Sequence, residues 1–354
     1  MLLDAPERFA ALDPQAMLSH IHALPDQVEH AWAAAHDLPL PEDYRHPRLI
    51  VLSGMGGSAI GGDYLAALVA HASPVPILVI RGYDLPAYVS GSEVLVIASS
   101  NSGNTEETLA AYADAGRRGV RRLAITTGGE LAARAAADGV PLWQFTYSSQ
   151  PRAALGWSFG LLVGLADRLG LAADLANDVA EAVALLRQER GAFGPEVPAE
   201  RNGPKRYAGQ FCGRIGLIIG SGIMAPVARR WKGQINENAK NWAEFDELPE
   251  QNHNGVAGTE LPERGLEQIF CMLLRSSYDH PRVALRHDLT YRLFLQQGIN
   301  TDTFVARGQS RLAQMLSATQ FGDYTSFYLA MLNEVDPTPV PQIENLKAGL
   351  ARAG

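Results

Sequence analysis

The chain has 354 residues, enough for two ordinary domains with a core apiece, and its 47% hydrophobic and 19% charged residues are those of a soluble globular protein. A formal net charge of −8, with only four lysines (Lys205, Lys232, Lys240 and Lys347), provides no basic stripe and argues against nucleic acid as a partner. The opening MLLDAPERFAALD lacks the charged, apolar, small-residue order of a secretory leader, and no apolar run approaches the roughly 20 residues of a membrane span, so a cytoplasmic protein is expected.

Strand-length apolar runs alternate with longer amphipathic, alanine-rich segments. In the first half LIVLS (49–53), VPILVI (75–80), EVLVIAS (93–99), RRLAITT (121–127) and VPLWQFT (140–146) read as strands, with helical patterns between most of them. That alternation predicts an α/β fold: a doubly wound parallel sheet flanked by helices. A long helical stretch runs from about 153 to 186, broken at Gly170, and RGAFGPEVPAERNGP (190–204) reads as a linker. A second series follows, with strands in RIGLIIGSG (214–222), LEQIFCMLLR (266–275) and TDTFVAR (301–307), then closing helices from about 310 to 332 and from 343 onward. Two similar α/β domains, 1–192 and 193–354, are therefore expected, each opening on a strand that runs into a small-residue turn: IVLSGMGGS and LIIGSGIM. Cys212 and Cys271 sit in apolar strand-like runs and read as buried free thiols rather than a disulfide.

The first turn, SGMGGSAIGGDYL (53–65), carries glycines that allow close backbone approach, and a helix beginning near Ser58 aims free N–H groups and the positive end of its dipole at whatever lies there. A phosphate suits such a site. A dinucleotide also fits the loose Gly54-x-Gly56-x-x-Ala59 pattern, but Arg81 rather than an acid ends the next strand, leaving only an NADP-type reading. A plain structural turn is the third possibility. The second turn, SSNSGNT (99–105), discriminates between them: Ser100, Ser102 and Thr105, the amide of Asn104 and helix-start N–H groups can converge on one anion. Singly, each hydroxyl reads as a helix cap. Neither turn has the Lys-Ser or Lys-Thr pair of a nucleotide-hydrolysing loop, so a monophosphate held by hydroxyls is the simplest ligand.

GMGGSAIGGD with SSNSGNTEET resembles the sugar isomerase (SIS) fold, in which a serine and threonine loop holds the phosphate of a sugar phosphate. PRAALG (151–156), WKGQINENAK (231–240), PEQNHN (249–254) and DPTPVPQIENLK (336–347) narrow the resemblance to the bifunctional phosphoglucose/phosphomannose isomerase family, in the family's order along nearly the whole chain. The resemblance implies an aldose–ketose isomerase acting on glucose 6-phosphate, and on mannose 6-phosphate, through a cis-enediolate. That chemistry needs a base serving two carbons, stabilisation of an oxyanion and a group that opens the sugar ring, and it requires no metal or redox cofactor.

By the same resemblance Glu237 is the base, Arg152 faces the enediolate oxygen, and His253 and Lys347 act in ring opening. Gly56, Gly57, Ser58, Ser100, Ser102 and Thr105 hold the phosphate or sugar. The family also implies a homodimer in which His253 comes from the partner subunit. Read from the residues alone, Glu237 could be desolvated by its amide and apolar neighbours, or be a surface acid paired with Lys240 three positions on. His253 is flanked by two asparagines, which could fix its tautomer. Arg152 otherwise reads as a helix-start surface charge and Lys347 as a helix-surface lysine. The chain departs from the family pattern at Gly255, where an acid is expected, at Asn101, where an aromatic is common, and at Ala59, often glycine. A non-catalytic sugar-phosphate sensor would use the same loop without needing a base. A serine hydrolase elbow fails at Ile60, and no His or Cys spacing suits a metal.

Overall fold

The apolar runs of the first half form a parallel sheet. β1 (Leu49–Ser53), β2 (Ile77–Ile80), β3 (Val94–Ser100), β4 (Arg121–Thr126) and β5 (Leu142–Gln144) lie in the order β2-β1-β3-β4-β5 in this computed structural model, which describes residues 2–353. β1 and β3 are buried along their whole length, which is why their sequences are continuously apolar rather than alternating. Helices α1 (Leu24–Asp37), α2 (Gly56–Val69), α3 (Glu106–Arg117), α4 (Gly129–Ala137), α5 (Leu155–Arg168) and α6 (Leu175–Phe193) accompany this sheet. The break anticipated at Gly170 separates α5 from α6, and the glycine has a left-handed φ of +64° there.

A second parallel sheet follows α7 (Gly203–Phe211). Its strands are β6 (Ile215–Gly220), β7 (Ala243–Glu247), β8 (Ile269–Arg275) and β9 (Asn300–Val305), in the order β7-β6-β8-β9, with α8 (Ala225–Ala239) and α9 (Pro281–Gln296) between them. β7 was not evident in the sequence: AEFDE is an edge strand with only Ala243 buried.

α10 (Arg311–Leu332) lies against helices of both halves, α6 of the first and α7 and α8 of the second, and every residue from Leu312 to Met331 is buried. A helix surrounded on all sides has no polar stripe to offer solvent, so its polar side chains find internal partners. Thr319 pairs with Tyr64, Ser317 donates to Glu189, and Asp323 takes hydrogen bonds from Arg230 and Gln234 of α8. One apolar cluster consequently includes Ile50 and Ile97 of the first sheet together with Ile218 and Met272 of the second.

The segment between α6 and α7 is a pinned turn: Asn202 caps α7 and donates to the Phe193 and Gly194 carbonyls, while the Lys205 ammonium donates to those of Pro195 and Val197. α11 (Pro341–Ala353) closes the chain. Both cysteines are free, but Cys212 is exposed, correcting the expectation that it is buried. It follows the last turn of α7 instead of lying in a strand, whereas Cys271 is buried in β8.

Candidate active site

Parallel sheets bind ligands at the carboxyl ends of strands where the winding reverses, between β1 and β3 in the first sheet. Both turns noted in the sequence lie there. Gly56 takes φ +50°, and a side chain at Gly57 would lie 2.9 Å from the Pro151 carbonyl oxygen, so α2 can approach Pro151–Arg152 only with glycine at that position. The Ser58 hydroxyl accepts from the Asn101 amide at 3.1 Å and ties the two turns together. In the second turn Ser100 and Thr105 hydroxyls are 2.9 Å apart, Gly103 N–H donates to Ser100, and Asn104 N–H donates to Ser102. Thr105 is the N-cap position of α3, and Ser102 is exposed. The Ser100 and Thr105 hydroxyls thus meet at the start of α3, and Ser58 is tied to the same turn, which also carries Ser102: a cup of hydroxyls formed by the two turns.

Beside this cup a cleft of ≈ 440 Å³ is lined by Gly56, Gly57, Arg152 and Glu237, together with cationic side chains. Arg152 comes from a short 3-10 turn ahead of α5, and Glu237 from the last turns of α8. Arg152 Nη1 donates to Glu237 Oε2 at 3.3 Å. The rest of the guanidinium is fixed: Nε donates to Asn238 Oδ1 at 2.6 Å, and Nη2 to the Pro337 and Thr338 carbonyls at 2.7 Å each. Asn238 is in turn held by the Ser326 hydroxyl of α10. Arg152 is thus buried, not the surface charge its position alone suggests. Burial lowers its pKa, opposed by the adjacent Glu237, but a guanidinium keeps its charge in proteins.

The Glu237 side chain is 33% exposed and faces the cleft, where Arg152 meets it, so it lies between the two alternatives of a desolvated carboxylate and a surface acid. Lys240 does not pair with that carboxylate; its ammonium donates to the Glu237 backbone carbonyl at 2.7 Å. Below Glu237, Arg230 pairs with Asp323 at 2.7 Å and donates to the Arg152 carbonyl oxygen. With both side chains of that pair almost wholly buried, α8 is anchored to α10 and the two ends of the site are held in one frame.

Sequence reasoning missed the cations of the cleft. Arg81 and Arg229 both face Asp63, and Lys232 and Arg230 also line the cleft. The cleft beside the hydroxyl cup is therefore lined by cations, of which Arg81 and Arg230 are paired with Asp63 and Asp323. Arg81 was visible only as a strand-end arginine, and Arg229 and Lys232 carried no signal in the sequence that set them apart.

Two expected site residues stand apart. His253 is exposed in a 3-10 turn after β7, and its imidazole makes no hydrogen bond among the described residues. Its flanking asparagines do not fix its tautomer: Asn252 donates to Gln251 and Thr290, and Asn254 to Glu250. Lys347 is exposed on α11. Neither lines the cleft in its own chain.

A double parallel-sheet fold with a hydroxyl cup at the first switch point and a carboxylate–arginine pair between the halves defines a protein of the SIS class. The Bacterial phospho-glucose isomerase C-terminal SIS domain model matches residues 200–350. A bifunctional phosphoglucose/phosphomannose isomerase of Caldicellulosiruptor bescii is 42% identical over 336 residues, 95% of this chain and 99% of that protein. One from Aquifex aeolicus is 35% identical across 86% of this chain and 90% of its own length. The chain belongs to the bifunctional phosphoglucose/phosphomannose isomerase family. Among solved structures, a hypothetical protein from Thermus thermophilus superposes with a TM-score of 0.75 at 19% identity, covering 99% of this chain and 94% of that one. The tagatose-6-phosphate ketose/aldose isomerase of Escherichia coli does so with 0.65 at 17% identity over 92% and 95%; both similarities show a shared fold.

Proposed function

We propose that the protein is an aldose–ketose isomerase that interconverts glucose 6-phosphate and mannose 6-phosphate with fructose 6-phosphate through a cis-enediolate. The observation that carries this reading is the Arg152–Glu237 pair facing the cationic cleft beside the hydroxyl cup. Glu237 takes a C1 proton from the open-chain ketose and returns one to C2, so a single carboxylate serves both carbons. Arg152, with its other N–H groups spent on Asn238 and two carbonyls, presents Nη1 to the oxyanion that develops between those carbons without reorganising. Ser58, Ser100, Ser102 and Thr105, with the glycine turn at Gly56 and Gly57, hold the phosphate. The names of the relatives support the substrate class.

Ring opening belongs to His253 and Lys347 in this reading. Because neither reaches the cleft of its own chain, a homodimer in which His253 is supplied by the other subunit fits their position. The division into 1–192, with the hydroxyl cup, and 193–354, with Glu237 and His253, is part of the same proposal. No helix of the described residues is long and apolar enough to cross a membrane, and two free cysteines suit the reducing cytoplasm in which we place the enzyme. A sensor that merely binds the sugar phosphate has no use for a carboxylate set against a locked arginine.

Supplying fructose 6-phosphate without added metal or nucleotide tests the reading. Both glucose 6-phosphate and mannose 6-phosphate should accumulate, and formation of neither, with binding intact, overturns it.

A further inference from the structure

The second sheet repeats the geometry of the first at its own switch point, between β6 and β8. Met55-Gly56 after β1 is matched by Ser221-Gly222 after β6, and both glycines have φ +50°. Five residues separate β3 from α3 (101–105), and five separate β8 from α9 (276–280). Thr105 and His280 occupy the N-cap positions of the two helices. Counting through these loops places Asp279 where the first cup has Asn104.

The second cup is full. Ser221 Oγ donates to Asp279 Oδ1 at 2.6 Å, and the Ser276 backbone N–H donates to Asp279 Oδ2 at 3.0 Å. His287 Nε2 lies 3.1 Å from Ser221 Oγ and 3.7 Å from Asp279 Oδ2. His287 is fully buried, and its Nδ1 has no hydrogen-bond partner among the described residues. Gln314 of α10 absorbs the Ser276 and Ser277 hydroxyls. A hydroxyl, a loop N–H and an imidazole converging at the start of a helix make the kind of donor set that holds a small oxyanion.

The geometry points to Asp279 as a built-in occupant of a second anion cup, its carboxylate seated where a phosphate would sit, so that the chain admits one phosphate ester rather than two. Ser221 Oγ, Ser276 N–H and His287 form a latent site for a tetrahedral oxyanion that Asp279 closes. This rests on the phosphate reading of the first cup only for the comparison, because a phosphate gained on removing Asp279 is an increment that stands whether the first cup binds or not.

The test is calorimetric titration of inorganic phosphate into wild type, Asp279→Ala and Asp279→Asn at matched ionic strength. Asp279→Ala should bind one more phosphate per chain than wild type, and Asp279→Asn, whose amide still fills the cup, no more than wild type. A folded Asp279→Ala with no added phosphate site overturns the inference, as does an extra site that takes formate but not phosphate. Should Asp279→Ala be unfolded in chloride, its refolding yield in phosphate decides the matter: recovery supports a phosphate cup, and equal failure in both salts rejects it. Failure of the first cup would appear separately, as zero phosphates in wild type.

Discussion

Arg152, from the turn ahead of α5, and Glu237, from the end of α8, meet at 3.3 Å across the junction of the two halves, although 85 residues separate them. Their encounter depends on α10, which supplies Asp323 to Arg230 and Ser326 to Asn238. The reactive pair is therefore only as well placed as the buried polar network beneath it.

Asn238 is the positioning residue whose loss should show this. Its side chain accepts from Arg152 Nε and donates to Ser326, and it is fully buried. Asn238→Ala leaves a charged donor unpaired, at a cost of about 1–3 kcal/mol in denaturant unfolding. Steady-state kinetics should show kcat falling by about tenfold or more with KM little changed, since the arginine is displaced from the oxyanion rather than from the phosphate. Asn238→Asp, which can still accept from Nε, should recover part of kcat; equal loss of kcat in both variants would mean that Asn238 does not act through Arg152.

Lys240 predicts a pH dependence. It ends α8 with φ +53°, and burial of its amine, reinforced by Arg152, lowers its pKa to about 8 although the residue is exposed overall. Raising the pH through 8 removes a positive charge near the Arg152–Glu237 pair, so kcat/KM for a phosphate ester should show an alkaline limb near that value. Lys240→Met should lack the limb. Stability should move oppositely: between about 8 and the ordinary lysine value of about 10.4 the unfolded chain binds more protons, so this group's contribution becomes more favourable as pH rises. Chemical denaturation across that window should show a rise in wild type that Lys240→Met lacks.

Sharing of His253 between subunits can be read by complementation. Glu237→Gln and His253→Ala should each be inactive as pure proteins. Unfolded together and refolded, they form heterodimers in which one of the two sites has both groups intact, returning about a quarter of wild-type activity from a statistical mixture. No recovery, from a refolded mixture shown to be dimeric, would place His253 outside the partner's site.

Much of the fold was legible because β1, β3, β6 and β8 are buried strands whose apolar runs end in glycine or hydroxyl turns. β7 was not, since an edge strand reading AEFDE carries neither an apolar run nor clean alternation. The cup hydroxyls and Arg152 were found through local motifs. The locking of Arg152 by Asn238, Pro337 and Thr338 was hidden, because those partners lie 86, 185 and 186 residues away. Arg229 and Lys232 are indistinguishable in sequence from solvated helix charges; only the packing of α8 against the first half turns them into a cleft wall. Asn252 and Asn254 misled for the converse reason: adjacency to His253 along the chain did not become contact in space.

Everything in the proposed chemistry turns on Glu237 moving a proton between adjacent carbons of the sugar. Fructose 6-phosphate incubated in deuterium oxide with wild type and with Glu237→Gln, and followed by NMR, reports that transfer itself. Wild type should produce glucose and mannose 6-phosphates carrying deuterium at C2, while Glu237→Gln, still binding the sugar phosphate, should lose exchange and turnover together. Turnover or C2 exchange at the wild-type rate in Glu237→Gln would mean that another group moves the proton and that the mechanism is wrong.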